Sequence, residues 1–207
     1  MARIKYLFQG IIVLSFLFGC SKNKQTSDSY ILRCEIKVID TMFLKLVGTK
    51  FYTPLKETSG ITDNSKRVSI AKMILFVKDT LSGIKNINKE ISKYSKAILQ
   101  KKYKIDTSYY PLYEQLFSDN LESRKLDLNE IKNKGLYELK PIYSKSQIKE
   151  PNRIIGNVEF SRVVFSQDLN KCCFYYSINY GRDLGFGYIL FLKKVKNLWE
   201  IDCDLSV

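Results

Sequence analysis

Residues 171–206 read KCCFYYSINYGRDLGFGYILFLKKVKNLWEIDCDLS, and this stretch decides the fold. At its end, Trp199, Ile201, Cys203 and Leu205 alternate with Glu200, Asp202, Asp204 and Ser206. A period of two places alternate side chains on opposite sides of a strand. Trp199, Ile201 and Cys203 are therefore expected on the core face. Phe186 to Lys194 forms the preceding strand, joined by a short turn at Lys196-Asn197. Cys172 to Tyr180 is another, followed by the loop Gly181-Arg182-Asp183-Leu184-Gly185. Upstream, Val158 to Phe165 is a fourth, turning through Gln167-Asp168-Leu169-Asn170. Short polar connections make these an antiparallel meander over about 157–205, with strands expected near 157–166, 171–180, 186–195 and 198–205.

Further upstream the periods mix. Leu32, Cys34, Ile36 and Val38 alternate with Arg33, Glu35 and Lys37, which favours a strand. Leu32, Ile36, Ile39, Phe43 and Leu46 would also make a helical stripe. Met73 to Val77 is an apolar run that fits a buried strand or a buried helix, and periodicity does not separate the two. Ile84, Ile87, Ile91, Tyr94 and Ile98 recur at three and four, the signature of an amphipathic helix over 84–104. Pro111 opens a helix, and Asp127 caps a short one beginning at Leu128. No repeat or linker divides residues 31–207, which read as one α+β domain: a meander with helices packed on one face.

The chain carries 34 basic and 21 acidic residues, a formal charge of +13. Only seven of the basic residues are Arg, whose planar forks dominate base and phosphate recognition. The absence of His removes His-based triads, imidazole metal ligands and imidazole proton shuttles. No Cys spacing suits zinc, so neither a metal nor a cofactor is expected. Adjacent Cys172 and Cys173 point to opposite faces of their strand. With Cys34 and Cys203 they read as free thiols serving as small apolar residues, although an even number also permits disulfides.

At the N-terminus, Arg3 and Lys5 precede an apolar stretch through Phe18, too short for the roughly 20 residues of a spanning helix. A polar stretch begins at Ser21. Leu17-Phe18-Gly19-Cys20 resembles the lipobox of bacterial lipoproteins, with Phe18 larger than the residue that family usually places there. The resemblance implies a signal peptide at 1–19, cleavage before Cys20, and lipid on Cys20. A flexible tether over 20–30 follows. The chain is then exported and anchored on the periplasmic side of the envelope, and Ser21 resembles the residue that permits transport to the outer membrane. Residues 155–205 also loosely resemble a group of uncharacterised Bacteroidota lipoproteins. That likeness rests on Phe160-Ser161-Arg162-Val163-Val164-Phe165, Gly185-Phe186-Gly187-Tyr188, and Lys193-Lys194 leading to Trp199. It implies no known activity.

Few constellations carry chemistry. Glu200, Asp202 and Asp204 share one strand face and would suit acid–base work or a cation, but alternation alone explains them. Asp183 lies in a glycine-flanked loop. Gly185-Phe186-Gly187 lacks the rest of a phosphate loop. Lys78-Asp79-Thr80 has no nucleophile motif around it. Lys85, Lys89, Lys93 and Lys96 lie off the Ile stripe and could meet anionic lipid, an anionic glycan or an acidic envelope protein. Nucleic acid is set aside because an exported chain seldom meets it. The leading reading is a lipid-anchored, non-catalytic binding or scaffolding module. The rival is a carboxylate-dependent hydrolase of envelope glycans built on Asp183 or the Glu200 strand, chemistry that needs no His.

Overall fold

A computed structural model describes residues 28–48, 73–84, 91–147, 154–180 and 184–207. The sequence-based assignments to residues 1–27, to 85–90 and to 181–183 fall outside them, and these include Cys20, Lys85, Lys89 and Asp183. The chain divides after Lys37 into two compact units. The described part of the first is 28–37, the opening turns of helix α1 (28–47), where Glu35 and Ile36 are buried.

The second unit holds residues 38–47 of α1 and everything after. Val38, Ile39, Met42, Phe43 and Val47 are buried at spacings of three and four, the pattern that a helix makes. The strand reading of 32–38 is thus overturned. Its alternation was local, while the helical stripe continues for a further nine residues. Gly48 ends the helix at φ +78°, donating its N–H to the carbonyl of Leu44 at 2.9 Å.

The strands are β1 (Met73–Val77), β2 (Thr80–Leu81), β3 (Arg124–Lys125), β4 (Tyr137–Pro141), β5 (Ile154–Phe160), β6 (Val164–Phe165), β7 (Lys171–Asn179), β8 (Gly185–Val195) and β9 (Leu198–Ser206). The main sheet runs β4-β1-β5-β7-β8-β9, with β6 also pairing β7, while β2 and β3 form a separate pair. β1 is parallel to both β4 and β5, and the rest of the main sheet is antiparallel. The α+β class and the antiparallel run β7-β8-β9 are as expected; the single strand expected near 157–166 is instead two, β5 and β6, and the parallel pairing of β1 with β4 and β5 makes the sheet mixed. β1 lies inside the sheet with Ile74 to Val77 all buried, so both of its faces are covered. That is why its sequence shows an unbroken apolar run.

Helices α2 (Lys96–Tyr103) and α3 (Tyr110–Leu116) cover one face. Leu99, Tyr109, Leu112, Tyr113 and Leu116 pack there with Cys173, Ile189, Phe191 and Leu205. Phe160 pairs with Tyr176, on the opposite side of β7 from Cys173, and Phe43 of α1 meets it with ring centroids 6.2 Å apart. Helical cover on one face therefore holds for α2 and α3, and α1 adds cover on the second. As expected, α3 carries Pro at its first turn, and Asp127 caps the 3₁₀ turn Leu128–Glu130 through Oδ1, which accepts from Asn129 N at 2.9 Å.

Two further expectations change. The helix predicted over 84–104 is a 3₁₀ turn, Ile91–Lys93, followed by the separate helix α2. Ser95 is extended and caps α2, its Oγ accepting from Ile98 N at 3.4 Å. The Ile stripe is broken with it: Ile84 is buried but Ile98 is 40% exposed, and Leu99 is the buried residue of α2. In β9 a bulge intervenes, since Phe191 pairs with Cys203 but Leu192 pairs with Ile201, leaving Asp202 extra. One inserted residue moves everything beyond it to the other face. Trp199 and Ile201 therefore share a face with Leu192, and Cys203 and Leu205 share the helix-covered face. Trp199 is buried against Phe165 (6.0 Å between centroids) under Lys194, while Ile201 is 42% exposed.

Candidate functional site: a polar cleft at the open end of the sheet

The helix-covered face does not stay apolar along β7. It passes from Cys173, fully buried, through half-buried Tyr175 and Ser177 to exposed Asn179. Their neighbours across the ladder follow: Ser177 lies between Glu159 of β5 and Gly187 of β8, and Asn179 between Asn157 and Gly185. Where the helices stop, a polar cleft begins.

Its first part, about 420 Å³, is lined by Lys78, Ser82, Ser123, Glu159, Ser161 and Tyr175, among others. The second, about 530 Å³, lies over Asn157, Ser177, Asn179, Phe186 and Gly187 and shares Glu159 and Tyr175 with the first. Lys78 directly follows β1, and its N–H donates to Val158 O at 3.0 Å. This carries the parallel pairing of β1 and β5 one residue further. Its ammonium then reaches Glu159 Oε2 at 3.3 Å, with both side chains partly exposed. The two lie 81 residues apart in sequence, and the parallel pairing of β1 with β5 brings them together.

Between β5 and β6, Ser161 holds the chain to β7. Ser161 N donates to Tyr175 O at 2.9 Å, and Tyr175 N donates to Ser161 Oγ at 2.8 Å. The hydroxyl in turn donates to Arg162 O at 2.8 Å. A side-chain oxygen thus takes the place of a ladder carbonyl, satisfying a backbone group that burial would otherwise leave costly. Arg162 is buried; its N–H donates to Ser82 O at 3.0 Å and its guanidinium to Glu122 O, which fixes the Ser82 and Ser123 side of the cleft.

Tyr175 is the floor shared by both parts. A Cβ on Gly187 would lie 2.9 Å from its phenol oxygen and 3.1 Å from the nearest ring carbon, so only glycine lets the ring lie across β8. Burial pushes the Tyr175 phenol up, Ser177's hydrogen bond opposes that, and the charge of Glu159 adds to it. The phenol is therefore neutral and able to donate. Asn157 Oδ1, beside the second part, is buried with no hydrogen-bond partner.

The sequence-derived candidates lie elsewhere. Lys93 and Lys96 are exposed, one ending the 3₁₀ turn and the other opening α2. The carboxylates of β9 do not form one set. Glu200 pairs across with Lys193 on the helix-covered face, Asp204 pairs with Leu190 on the other, and Asp202 sits at the bulge. Asp202 binds Lys193 Nζ at 2.6 Å and accepts from the Tyr109 hydroxyl at 3.0 Å, which gives it a structural role. The four described cysteines beyond residue 27 are free thiols. Cys172 and Cys173 are buried on opposite faces, and burial pushes both thiols up, which keeps them protonated and unreactive. Among the described residues no cluster of three or more His, Cys, Asp or Glu could hold a metal, and no helix is long and apolar enough to cross a membrane.

Sequence reasoning met Lys78 and Ser161 only as members of short local runs and did not connect them with Glu159 or Tyr175. The available signal was the polar drift along one face of β7. Comparison with family models, curated proteins and solved structures finds no match.

Proposed function

We propose that this chain is a lipid-anchored envelope module, held through Cys20 on the periplasmic side of a bacterial outer membrane, whose folded part binds a ligand or partner without catalysing a reaction. The observation that carries the binding half is the cleft. It is open, polar and of ligand size, since small-molecule sites run roughly 300–1,000 Å³. Its described wall carries one carboxylate, Glu159, engaged by Lys78.

The hydrolase alternative gains no support from this geometry. Glycoside hydrolysis uses two carboxyl groups flanking the bond, roughly 5–10 Å apart. Of the carboxylates on which it was built, those of the Glu200 strand are divided between two faces by the bulge, and Asp183 lies outside the described residues. The anchoring half rests on Leu17-Phe18-Gly19-Cys20 after the short apolar run. Two or three acyl chains at about 0.8 kcal/mol per buried methylene make attachment effectively permanent. Expressed in a Gram-negative host, the chain should sediment with membranes and yield an N-terminal peptide starting at acylated Cys20, whereas Cys20→Ala should fail to mature. A soluble product starting elsewhere would overturn the anchoring half.

A further inference from the structure

The cleft's chemistry narrows what it takes. We infer that it binds a short, uncharged, hydroxyl-rich ligand, a glycan segment of two or three sugar rings, with one ring on Tyr175 and vicinal hydroxyls on the Lys78–Glu159 pair. This rests on the binding reading above.

Three observations converge. The first is charge. On a chain of formal charge +13, the described side chains that line the cleft include one cation and one anion, which pair with each other at 3.3 Å. A charged ligand would compete with one member of that pair for the other, at a modest cost because both side chains are partly exposed. A neutral ligand need not. Nζ donates and Oε2 accepts, so two adjacent hydroxyls can bind side by side, one accepting from Lys78 while the other donates to Glu159. Vicinal diols are what sugar rings present, and bonds to charged groups are the stronger kind.

The second is shape. Tyr175 lies so close over Gly187 that a methyl group there would strike its oxygen and ring. The ring is held at the junction of the two parts of the cleft, where a ligand extending from one into the other must cross it. An aromatic face offers apolar contact to the C–H face of a sugar while its polar tip hydrogen-bonds. The third is the lining: Ser82, Ser123 and Ser177 carry hydroxyls that both donate and accept, as hydroxyl recognition requires. A hydroxyl arriving beside Asn157 would also supply a donor to its unpartnered Oδ1.

The test uses the full chain extracted in a polyoxyethylene detergent, since alkyl-glycoside detergents would themselves compete. The probes are chitotriose, cellotriose and maltotriose, with dialanine as a zwitterion and citrate as an anion, each titrated calorimetrically and by amide chemical shifts. At least one trisaccharide should saturate with a Kd of about 1 mM or tighter, shifting the amides of Ser161, Tyr175, Ser177 and Gly187. Tyr175→Ala should weaken it at least about tenfold. Should that variant unfold, Lys78→Met and Glu159→Gln change only partly exposed groups and should each weaken binding about tenfold without altering the thermal midpoint. Binding that survives both would overturn the assignment of the pair. Saturation by dialanine or citrate and by no trisaccharide would overturn the ligand class while leaving a binding site in place. If no probe binds, the glycan inference falls. Ser177→Cys then decides the broader reading: thiol labelling slowed in native envelopes relative to the purified chain keeps a cleft partner, and equal labelling removes it.

Discussion

The phenol of Tyr109 donates to Asp202 Oδ2 at 3.0 Å, joining residues 93 positions apart. Asp202 is the extra residue of the β9 bulge, and the same carboxylate holds Lys193 at 2.6 Å. Tyr109 is fully buried, stacks edge-on against Phe191 and lies under the Lys171 ammonium. The bulge therefore turns a carboxylate onto the helix-covered face and uses it to tie the segment before α3 to the sheet. Tyr109→Phe keeps the ring and removes one bond to a charged group, which should cost about 1.5–3 kcal/mol. Urea unfolding checks this; a loss below about 0.5 kcal/mol would mean that water replaces the phenol without penalty.

Trp199 and Ile201 should respond unequally despite their matching positions in the alternation. Trp199→Ala empties a buried aromatic site and should cost about 3–5 kcal/mol. Ile201→Ala, at a position 42% exposed, should cost less than about 1 kcal/mol. Equal losses would mean that Ile201 is as deeply packed as Trp199.

That pair also shows where the sequence stopped speaking. The C-terminal strands were legible because turn residues bound them and the last one alternates, although β8, with Ile189 to Leu192 all buried, keeps no period of two. The bulge was not, since Trp199, Ile201, Cys203 and Leu205 read as one stripe whether or not a residue is inserted in the ladder. The parallel pairing of β1 was invisible for another reason. Ile74 to Val77 are buried on both faces, and nothing local in Met73–Val77 names β4 and β5 as partners. The cleft depends on that pairing, because Lys78 meets Glu159 only once β1 lies beside β5. Ser95 stopped the long helix by capping α2, a choice that the Ile spacing across it concealed.

Gly156 should tolerate no side chain. A Cβ there would lie 2.2 Å from the carbonyl oxygen of Asn179, a backbone atom held in the β5–β7 ladder. Gly156→Ala should therefore destabilise by about 3 kcal/mol, the upper range for overpacking. By contrast, a Cβ at Gly83 meets nothing closer than 3.5 Å, so Gly83→Ala should stay within about 1 kcal/mol. Thermal unfolding of the two variants separates a steric requirement from a general loss of glycine.

Stability should fall on the alkaline side. Burial pushes the Cys203 thiol up from about 9.0 to about 11 and the Tyr176 phenol from about 10.0 to about 12. Burial also raises Tyr109, Tyr113, Cys172 and Cys173, while the hydrogen bond from Lys193 to Asp202 raises Lys193. In each case the folded chain keeps a proton that the unfolded chain has released, so the slope of stability with pH is negative. These contributions are complete below pH 9.0 and are lost as pH rises through 9 to 11 for Cys203 and 10 to 12 for Tyr176. Tyr103, lowered mainly by its hydrogen bond with Tyr94, runs the opposite way and is only partly buried. Urea midpoints should decline from pH 9 upward, and Cys203→Ala should flatten the first part of that decline. A midpoint constant to pH 11 would contradict the burial of these groups.

The basic surface around α2 gives the last prediction. Lys93, Lys96, Lys101 and Lys102 are exposed, and Ile98 stands among them 40% exposed. A Lys near an anionic membrane contributes about 1 kcal/mol, fading over a Debye length of roughly 10 Å at 0.1 M salt. An apolar side chain amid the cations adds a modest shallow contact. Residues 28–207, checked first for cooperative unfolding, should sediment with phosphatidylglycerol vesicles at low salt and detach at high salt. Changing Lys93 and Lys96 to Gln should weaken this, and adding Lys85→Gln and Lys89→Gln should weaken it further if all four act together. Ile98→Ser should reduce only the part that survives high salt. If the unaltered domain ignores these vesicles at low salt, the α2 cations are a solvated surface, and the proposed membrane attachment would rest on Cys20 alone.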